Sequence, residues 1–163
     1  MDARGRWLVG GLAVALVALL VAIAVVITSR GSGDDELAAT QREVARAART
    51  EAVAFLTVDH EDMDPLVDAV LAGATGDFAE QYAAQRDTLV REAVRTEATS
   101  TAEVVALGVG DLDQDSATVL VAANSTVTNT RTGPDGQVRY YRLRLDLVRE
   151  DGRWLTSGVR FVR

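Results

Sequence analysis

The chain begins with a long apolar stretch and then changes to amphipathic patterns. Trp7–Thr28 contains 22 residues without a charge, and only two glycines and the final threonine fall outside the apolar set. As an α-helix this stretch would be about 33 Å long, close to the ~30 Å hydrocarbon core of a bilayer. The pattern therefore predicts a transmembrane helix over residues 7–29, preceded by a cytoplasmic tail over residues 1–6.

A cleaved secretory signal peptide is the alternative interpretation of this stretch. Its apolar region would be shorter, about 7–15 residues, and would end in small residues, whereas Val25, Val26 and Ile27 end the run here. The length favours an uncleaved single-pass anchor. Since long C-terminal segments cross the membrane largely regardless of charge, we expect the remainder of the chain on the outer side, facing the periplasm or cell wall.

Four small residues share one face of the predicted membrane helix. They are spaced by four, three and four positions: Gly11, Ala15, Ala18 and Ala22. Small residues in such a stripe allow another helix to approach closely. Because alanine is abundant throughout this chain, the same pattern also arises without a packing role, and both interpretations stay open.

Three helical segments follow a short joint predicted over residues 30–35. In the first, from residue 34 to about residue 57, apolar or small residues recur at helical spacing: Leu37, Val44, Ala48, Ala52 and Phe55. The second begins near Pro65, which suits the first turn of a helix, and ends at Gly73. The third runs from Gly76 to about Glu97.

The other side of the first helical segment is charged. Three arginines and two glutamates lie there: Arg42, Glu43, Arg46, Arg49 and Glu51. Arginines near a bilayer can contact lipid headgroups, but such patches usually contain about 4–8 basic residues. We therefore interpret this side, including Glu51, as a solvated face.

After Glu97 the apolar period changes to two, which is typical of strands. Alternation and turn signals predict four strands, centred on Val105–Val109, Ala117–Val127, Tyr141–Leu147 and Arg153–Val162. A strong turn signal is Asp151-Gly152, which predicts a tight hairpin. Helices followed by strands predict an α+β domain over residues 36–163, with about three helices on a curved four-stranded antiparallel sheet.

One face of the third predicted strand is a candidate partner surface. Tyr140, Arg142 and Arg144 alternate with the apolar positions of that strand, and tyrosine with arginine is a combination favoured at protein interfaces. An ordinary solvent-exposed strand face is the alternative. Asp146 lies on the same face and is expected to form a cross-strand ion pair, whereas Trp154 is expected to pack in the core.

Charge and composition exclude several classes of function. The first 30 residues sum to +2 and the rest to −9, a net charge of −7 that argues against nucleic-acid binding, which needs a basic face. The absence of cysteine excludes disulfides and thiolate metal sites. The single histidine, His60, lies in an acidic run that we interpret as a solvated loop. We expect no catalytic residue, no bound metal and no cofactor.

Several segments, taken in order, point to a known family. After the N-terminal anchor these are Phe55–Thr57, Ala74–Phe78, Val119–Ala122, Arg139–Arg142 and the terminal run from Trp154 to Val162. Their order resembles the NTF2-like (cystatin-like) cone-shaped fold and the periplasmic domain of VirB8-type secretion components. More specifically, the chain is similar to the actinobacterial Mce-associated membrane proteins, although His60 stands where an aromatic residue is more usual.

The resemblance implies a partner protein rather than a catalyst. It suggests a non-enzymatic accessory or scaffold subunit of an Mce-type complex that imports sterols or fatty acids across the cell envelope. The first alternative is a membrane-tethered binder of an apolar small molecule, such as a lipid, in the cone. A tethered isomerase or dehydratase is a further alternative, but it needs an ionisable residue in the pocket, for which the sequence offers no strong candidate.

Overall fold

The computed structural model describes residues 35–163. The chain divides into two compact units, Met1–Thr40 and Gln41–Arg163. Of the first unit, residues 35–40 are described as helix, in which the Thr40 hydroxyl donates a hydrogen bond to the Glu36 carbonyl. Residues 41–163 belong to the second unit.

The predicted membrane helix over residues 7–29 lies outside the described residues. The same holds for its four small residues, Gly11, Ala15, Ala18 and Ala22. Within residues 35–163, no helix is both long enough and apolar enough to cross a membrane.

Four helices and five strands make up the described part of the chain. The helices are α1 over residues 35–56, α2 (Met63–Gly73), α3 (Gly76–Ala84) and α4 (Arg86–Thr96). The strands are β1 (Val58–Asp59), β2 (Thr99–Leu112), β3 (Ser116–Thr128), β4 (Gln137–Glu150) and β5 (Arg153–Phe161). The predicted α+β class is confirmed.

The counts of three helices and four strands were wrong. The predicted third helix is broken at Gln85, whose N–H donates to Tyr82 and whose carbonyl accepts from Leu89. The break lets α3 pack along β5 while Ala93 of α4 packs against α2. Strand β1 has two residues, paired with the start of β2, which is too short for an alternating pattern to reveal.

The five strands form one antiparallel sheet in the order β1-β2-β3-β4-β5. Each long strand pairs with its neighbour in sequence, as hairpin connections require. The β4–β5 hairpin turns at Asp151 and Gly152, which both have positive φ (49° and 77°). That conformation is characteristic of tight two-residue turns, and it confirms the predicted hairpin.

The core lies between α1 and one face of the sheet, which we call the inner face. Helix α1 contributes a stripe at four-residue spacing: Val44, Ala48, Ala52 and Leu56. The inner face contributes alternate residues of β3 and β4, such as Val119 and Leu145, both fully buried. Leu37, which was expected at the start of the stripe, is 51% exposed. At the other end the buried residue is Leu56, whereas the expected Phe55 is only partly buried.

The opposite face of the sheet, which we call the outer face, is open among the described residues.

Replacing Leu145, which is fully buried on the inner face, by alanine should lower the free energy of unfolding by about 2–5 kcal/mol. The matched change Leu120→Ala on the outer face, where Leu120 is 53% exposed, should cost less than about 1 kcal/mol, since little packing is lost. Urea denaturation measures both, and equal losses would mean that the outer face is also covered.

Candidate functional site

The three predicted partner-surface residues lie together on the outer face. Tyr140, Arg142 and Arg144 alternate with inward residues along β4, and their partners on β3 are Asn124, Ala122 and Leu120. Tyr140 is 80% exposed. The structure thus brings these residues to one surface, and whether a partner binds there stays a prediction.

An apolar groove runs beside these residues on the outer face. It has a volume of about 400 Å³, with Ala106 and Gly108 of β2 and Leu120 of β3 in its lining. Nothing lies within 4 Å of the position that a Cβ on Gly108 would occupy. Val162, whose N–H donates to the Arg142 carbonyl at 2.8 Å, also lines the groove. Small side chains therefore leave a trough in the outer face.

The charges around the groove are partly paired. Asp146 accepts hydrogen bonds from Arg144 (Nε–Oδ1 3.0 Å) and from Arg160 on the neighbouring strand, which confirms the expected cross-strand ion pair. Partial burial acts to raise the pKa of Asp146, but the hydrogen bonds from Arg160 and Arg144 outweigh it and hold the pKa below its ordinary value. The Arg142 side chain has no ion pair within residues 35–163.

A second candidate site is a cleft between α1, α2 and the start of β5. It has a volume of about 550 Å³. Its walls combine small side chains with the charged Glu43, Arg46 and Arg153 and with parts of two buried residues, Glu51 and Trp154. We call it the Glu51 cleft.

Glu51 is 2% exposed, so its interpretation as part of a solvated face was wrong. The residue lies three positions after Ala48 and four before Phe55, which places it beside the buried stripe. Its Oε1 atom is buried and has no hydrogen-bond partner among residues 35–163. Burial without a partner disfavours the charged form and raises the pKa of Glu51 to about 8.

Gly73, the last residue of α2, provides the space for this carboxyl group. A Cβ at position 73 would overlap Oε2 of Glu51. The φ of Gly73 is not positive, so the backbone conformation does not require glycine there. A side chain at position 73 would therefore require the carboxyl end of Glu51 to move.

Trp154 is buried in the core, as expected, at 7% exposure. Its indole Nε1–H is nevertheless a second buried group without a hydrogen-bond partner in the described part of the chain. Arg149 lies over its ring, 5.9 Å from the centroid. The Glu51 cleft is thus bordered by two residues that each hold an unpaired buried polar atom.

The remaining candidate residues form no reaction centre. His60 follows β1, and its Nδ1 lies 3.4 Å from the Thr99 hydroxyl. Asp64, part of the acidic run, pairs with Arg86 at 2.9 Å. Within residues 35–163 no group of three or more histidine or carboxylate side chains is arranged to hold a metal ion.

Sequence reasoning missed the Glu51 cleft because Glu51 was expected to be exposed to solvent, as charged residues usually are. The available signal was position: Glu51 adjoins the stripe formed by Ala48, Ala52 and Phe55. No sequence signal pairs Glu51 with Gly73, since the two positions meet only when α2 folds back along α1.

The buried carboxyl should make stability depend on pH. Between pH 4.5 and pH 8 the folded protein holds a proton on Glu51 that the unfolded chain releases. The free energy of unfolding should therefore fall as pH rises through this range, by roughly 3 kcal/mol at pH 7. Denaturation across this pH range should show the decline in the wild-type chain and a flatter curve in Glu51→Gln. The exposed control Glu103→Gln should keep the wild-type slope, and a wild-type slope in Glu51→Gln would contradict the assignment.

The contact between Glu51 and Gly73 predicts a strong coupling of the two positions. Gly73→Ala forces the Glu51 carboxyl, the far end of a flexible side chain, to move, so the substitution should be less favourable in the wild-type protein than in a variant without the carboxyl. In a Glu51→Ala background the same substitution should be neutral or stabilising, because the space is then free. A double-mutant cycle measures this difference; additive effects would show that the two residues do not meet.

The fold is shared with components of bacterial secretion systems. The chain is similar to an IcmL-like type IV secretion system protein from Legionella pneumophila, with 12% identity and a TM-score of 0.60 over 75% of this chain and 91% of that one. It is also similar to CagV, a VirB8 homolog from Helicobacter pylori, with 7% identity and a TM-score of 0.59 over 74% of this chain and 97% of that one. These likenesses show a VirB8-like fold.

Sequence similarity shows the family. The uncharacterized protein Rv1363c of Mycobacterium tuberculosis is 27% identical over 118 residues, which make up 72% of this chain and 45% of that protein. The chain thus matches less than half the length of this relative. The family described as "Uncharacterized protein Rv1363c/MT1408-like" matches residues 9–163, and the chain belongs to this family.

Proposed function

We propose that this protein is a non-enzymatic accessory subunit that helps to assemble an Mce-type complex importing sterols or fatty acids. In this proposal residues 7–29 anchor it in the cell membrane, and the domain binds other Mce proteins on the outer side. The observation that carries the proposal is the open outer face with its apolar groove. The lipid cargo and the Mce partners rest on the resemblance of the sequence segments.

The outer face has the composition of a protein interface. Leu120 is 53% exposed and Val162 43% exposed, and both line the groove beside Arg142. Interfaces combine an apolar centre with tyrosine and arginine residues, which carry much of the binding energy. The unpaired Arg142 lines the groove, and Tyr140 lies two residues away on the same face of β4.

The structural likenesses support a role in an assembly. The protein from Legionella pneumophila is named as part of a type IV secretion system, and CagV as a homolog of VirB8 from such a system. By analogy, we propose that the present domain also acts within a multi-protein complex of the cell envelope. Fold alone does not fix function, so the surface chemistry carries the greater weight.

The alternative of an apolar ligand inside the cone is less favoured by the packing. Aromatic rings from α1, α3, β4 and β5 gather at one end of the inner face, with centroids 5.8–6.2 Å apart: Phe55, Phe78, Tyr82, Tyr141 and Phe161. These rings pack against each other at that end, where an apolar ligand would have to displace them. Protein binding at the outer face therefore remains the proposal.

Cross-linking in native membranes tests the proposal. A photo-reactive amino acid at Leu120 should form adducts with Mce proteins, whereas the same group at the exposed Glu80 of α3 should not. The double variant Tyr140→Ala/Arg142→Ala should reduce copurification of these proteins by about tenfold or more, as expected for interface residues of these types, and leave the unfolding midpoint unchanged. Undiminished copurification, or adducts from Glu80 alone, would rule out this surface.

A further inference from the structure

The Glu51 cleft combines three features that ordinary core packing would avoid. A buried carboxyl and a buried indole N–H both lack partners, and each such group costs about 1–3 kcal/mol. A glycine, which is a poor helix former, stands where any side chain would overlap the carboxyl. An apolar residue at position 51 with alanine at position 73 would remove the costs of the carboxyl and of the glycine, and phenylalanine at position 154 would remove that of the indole N–H. Retaining a costly polar arrangement in a cleft indicates a functional site.

Burial, and not the charged groups around the cleft, raises the pKa of Glu51. The cleft is lined by Glu43 and Arg46 from α1 and by Arg153 from β5, but none of them forms an ion pair or a hydrogen bond with Glu51 in the described part of the chain. Tyr82 of α3 is also near Glu51. Burial raises the pKa of Tyr82, and the negative charge of an ionised Glu51 raises it further. Helix α2 contributes the uncharged Gly73 at its C-terminal end, where a carboxylate is disfavoured by the helix dipole.

A neutral carboxyl group changes what the cleft can recognise. The protonated carboxyl offers one O–H donor, and the Trp154 indole offers one N–H donor. Two unpaired donors call for an acceptor oxygen with two lone pairs. A carbonyl oxygen meets this need without bringing a charge into the protein, whereas an ammonium group would offer only further donors.

We propose that the Glu51 cleft binds an uncharged ligand through a carbonyl oxygen, which accepts hydrogen bonds from the carboxyl group of Glu51 and from Nε1–H of Trp154. Glu51 and Trp154 both line the cleft, and both donor atoms are buried, so binding requires a local side-chain movement that brings them into contact with the ligand. The volume of about 550 Å³ greatly exceeds the ~30 Å³ share of one water molecule. The proposal is independent of the partner surface on the outer face.

Three small probes test the chemistry of the site in the full-length chain. Cyclohexanone presents a ketone and N,N-dimethylacetamide an amide carbonyl, so together they separate these two sources of the oxygen. Cyclohexylamine has the ring of the first probe but offers a cation. The indole N–H signal of Trp154 in a ¹⁵N-correlated spectrum, assigned with Trp154→Phe, reports binding at the cleft.

We expect at least one carbonyl probe to shift the Trp154 signal in a saturable way, and cyclohexylamine to bind at least tenfold more weakly. Glu51→Leu should weaken carbonyl binding by tenfold or more, whereas the surface control Glu103→Gln should not change it. Because the pKa of Glu51 is about 8, affinity should fall about tenfold between pH 7 and pH 9, as the donor proton is lost.

The variant Glu51→Gln separates donation by residue 51 from a structural role. Its amide keeps an N–H donor and a similar shape, so it should bind the carbonyl probe at pH 7 and lose the pH dependence. The proposal is overturned if neither carbonyl probe gives a saturable shift up to its solubility limit. It is equally overturned if cyclohexylamine binds as tightly, or if the wild-type affinity is the same at pH 7 and pH 9.

Discussion

The packing of helix α1 on the inner face of the sheet is the contact on which the domain depends. Two of the four residues in its buried stripe are alanines, Ala48 and Ala52, and this allows the helix to lie close to the strands. The facing strands supply the larger side chains, Leu143 and Leu145, which are at most 1% exposed. Such dense contacts between small and large side chains are how interiors reach their packing density.

This one-sided packing also creates the outer face. All four described helices precede the long strands, and the sheet buries the alternate residues that face α1. The residues that alternate with them point to the outer face, and some, such as Leu120 of β3 and Tyr140 of β4, are exposed within the described part of the chain. An antiparallel sheet tolerates this because one face can be solvated, yet exposed leucine and tyrosine beside an unpaired arginine suit a contact with another protein.

Glu51 shows the opposite departure from ordinary packing. Its position on α1 is buried, as an apolar residue would be, but the residue is a carboxylic acid. The carboxyl group lies in the space that a side chain at Gly73 would occupy. Strand β5 connects the two surfaces, since Trp154 near its start borders the Glu51 cleft and Arg160 near its end pairs with Asp146 of β4, which carries the outer-face residues. The domain therefore has an open outer face and a separate cleft, and the β4–β5 hairpin contributes residues to both.

Local sequence patterns predicted much of the fold. The period of two around Leu143 and Leu145, and the turn at Asp151-Gly152, predicted the strands and the hairpin because side-chain direction and turn conformation are set by neighbouring residues. The break at Gln85 was not predictable in this way, since no glycine or proline marks it and its cause is the packing of α3 and α4 on different neighbours.

The sequence by itself determined the α+β class, the alternation that separates the inner from the outer face, and the placement of Tyr140, Arg142 and Arg144 on one side of β4. Only the tertiary structure decided that Glu51 is buried, because its burial results from α2 and β5 closing over α1. The pKa of Glu51, the role of Gly73 and the unpaired indole of Trp154 all depend on that closure. They arise from contacts between residues far apart in the chain, on which local periodicity carries no information.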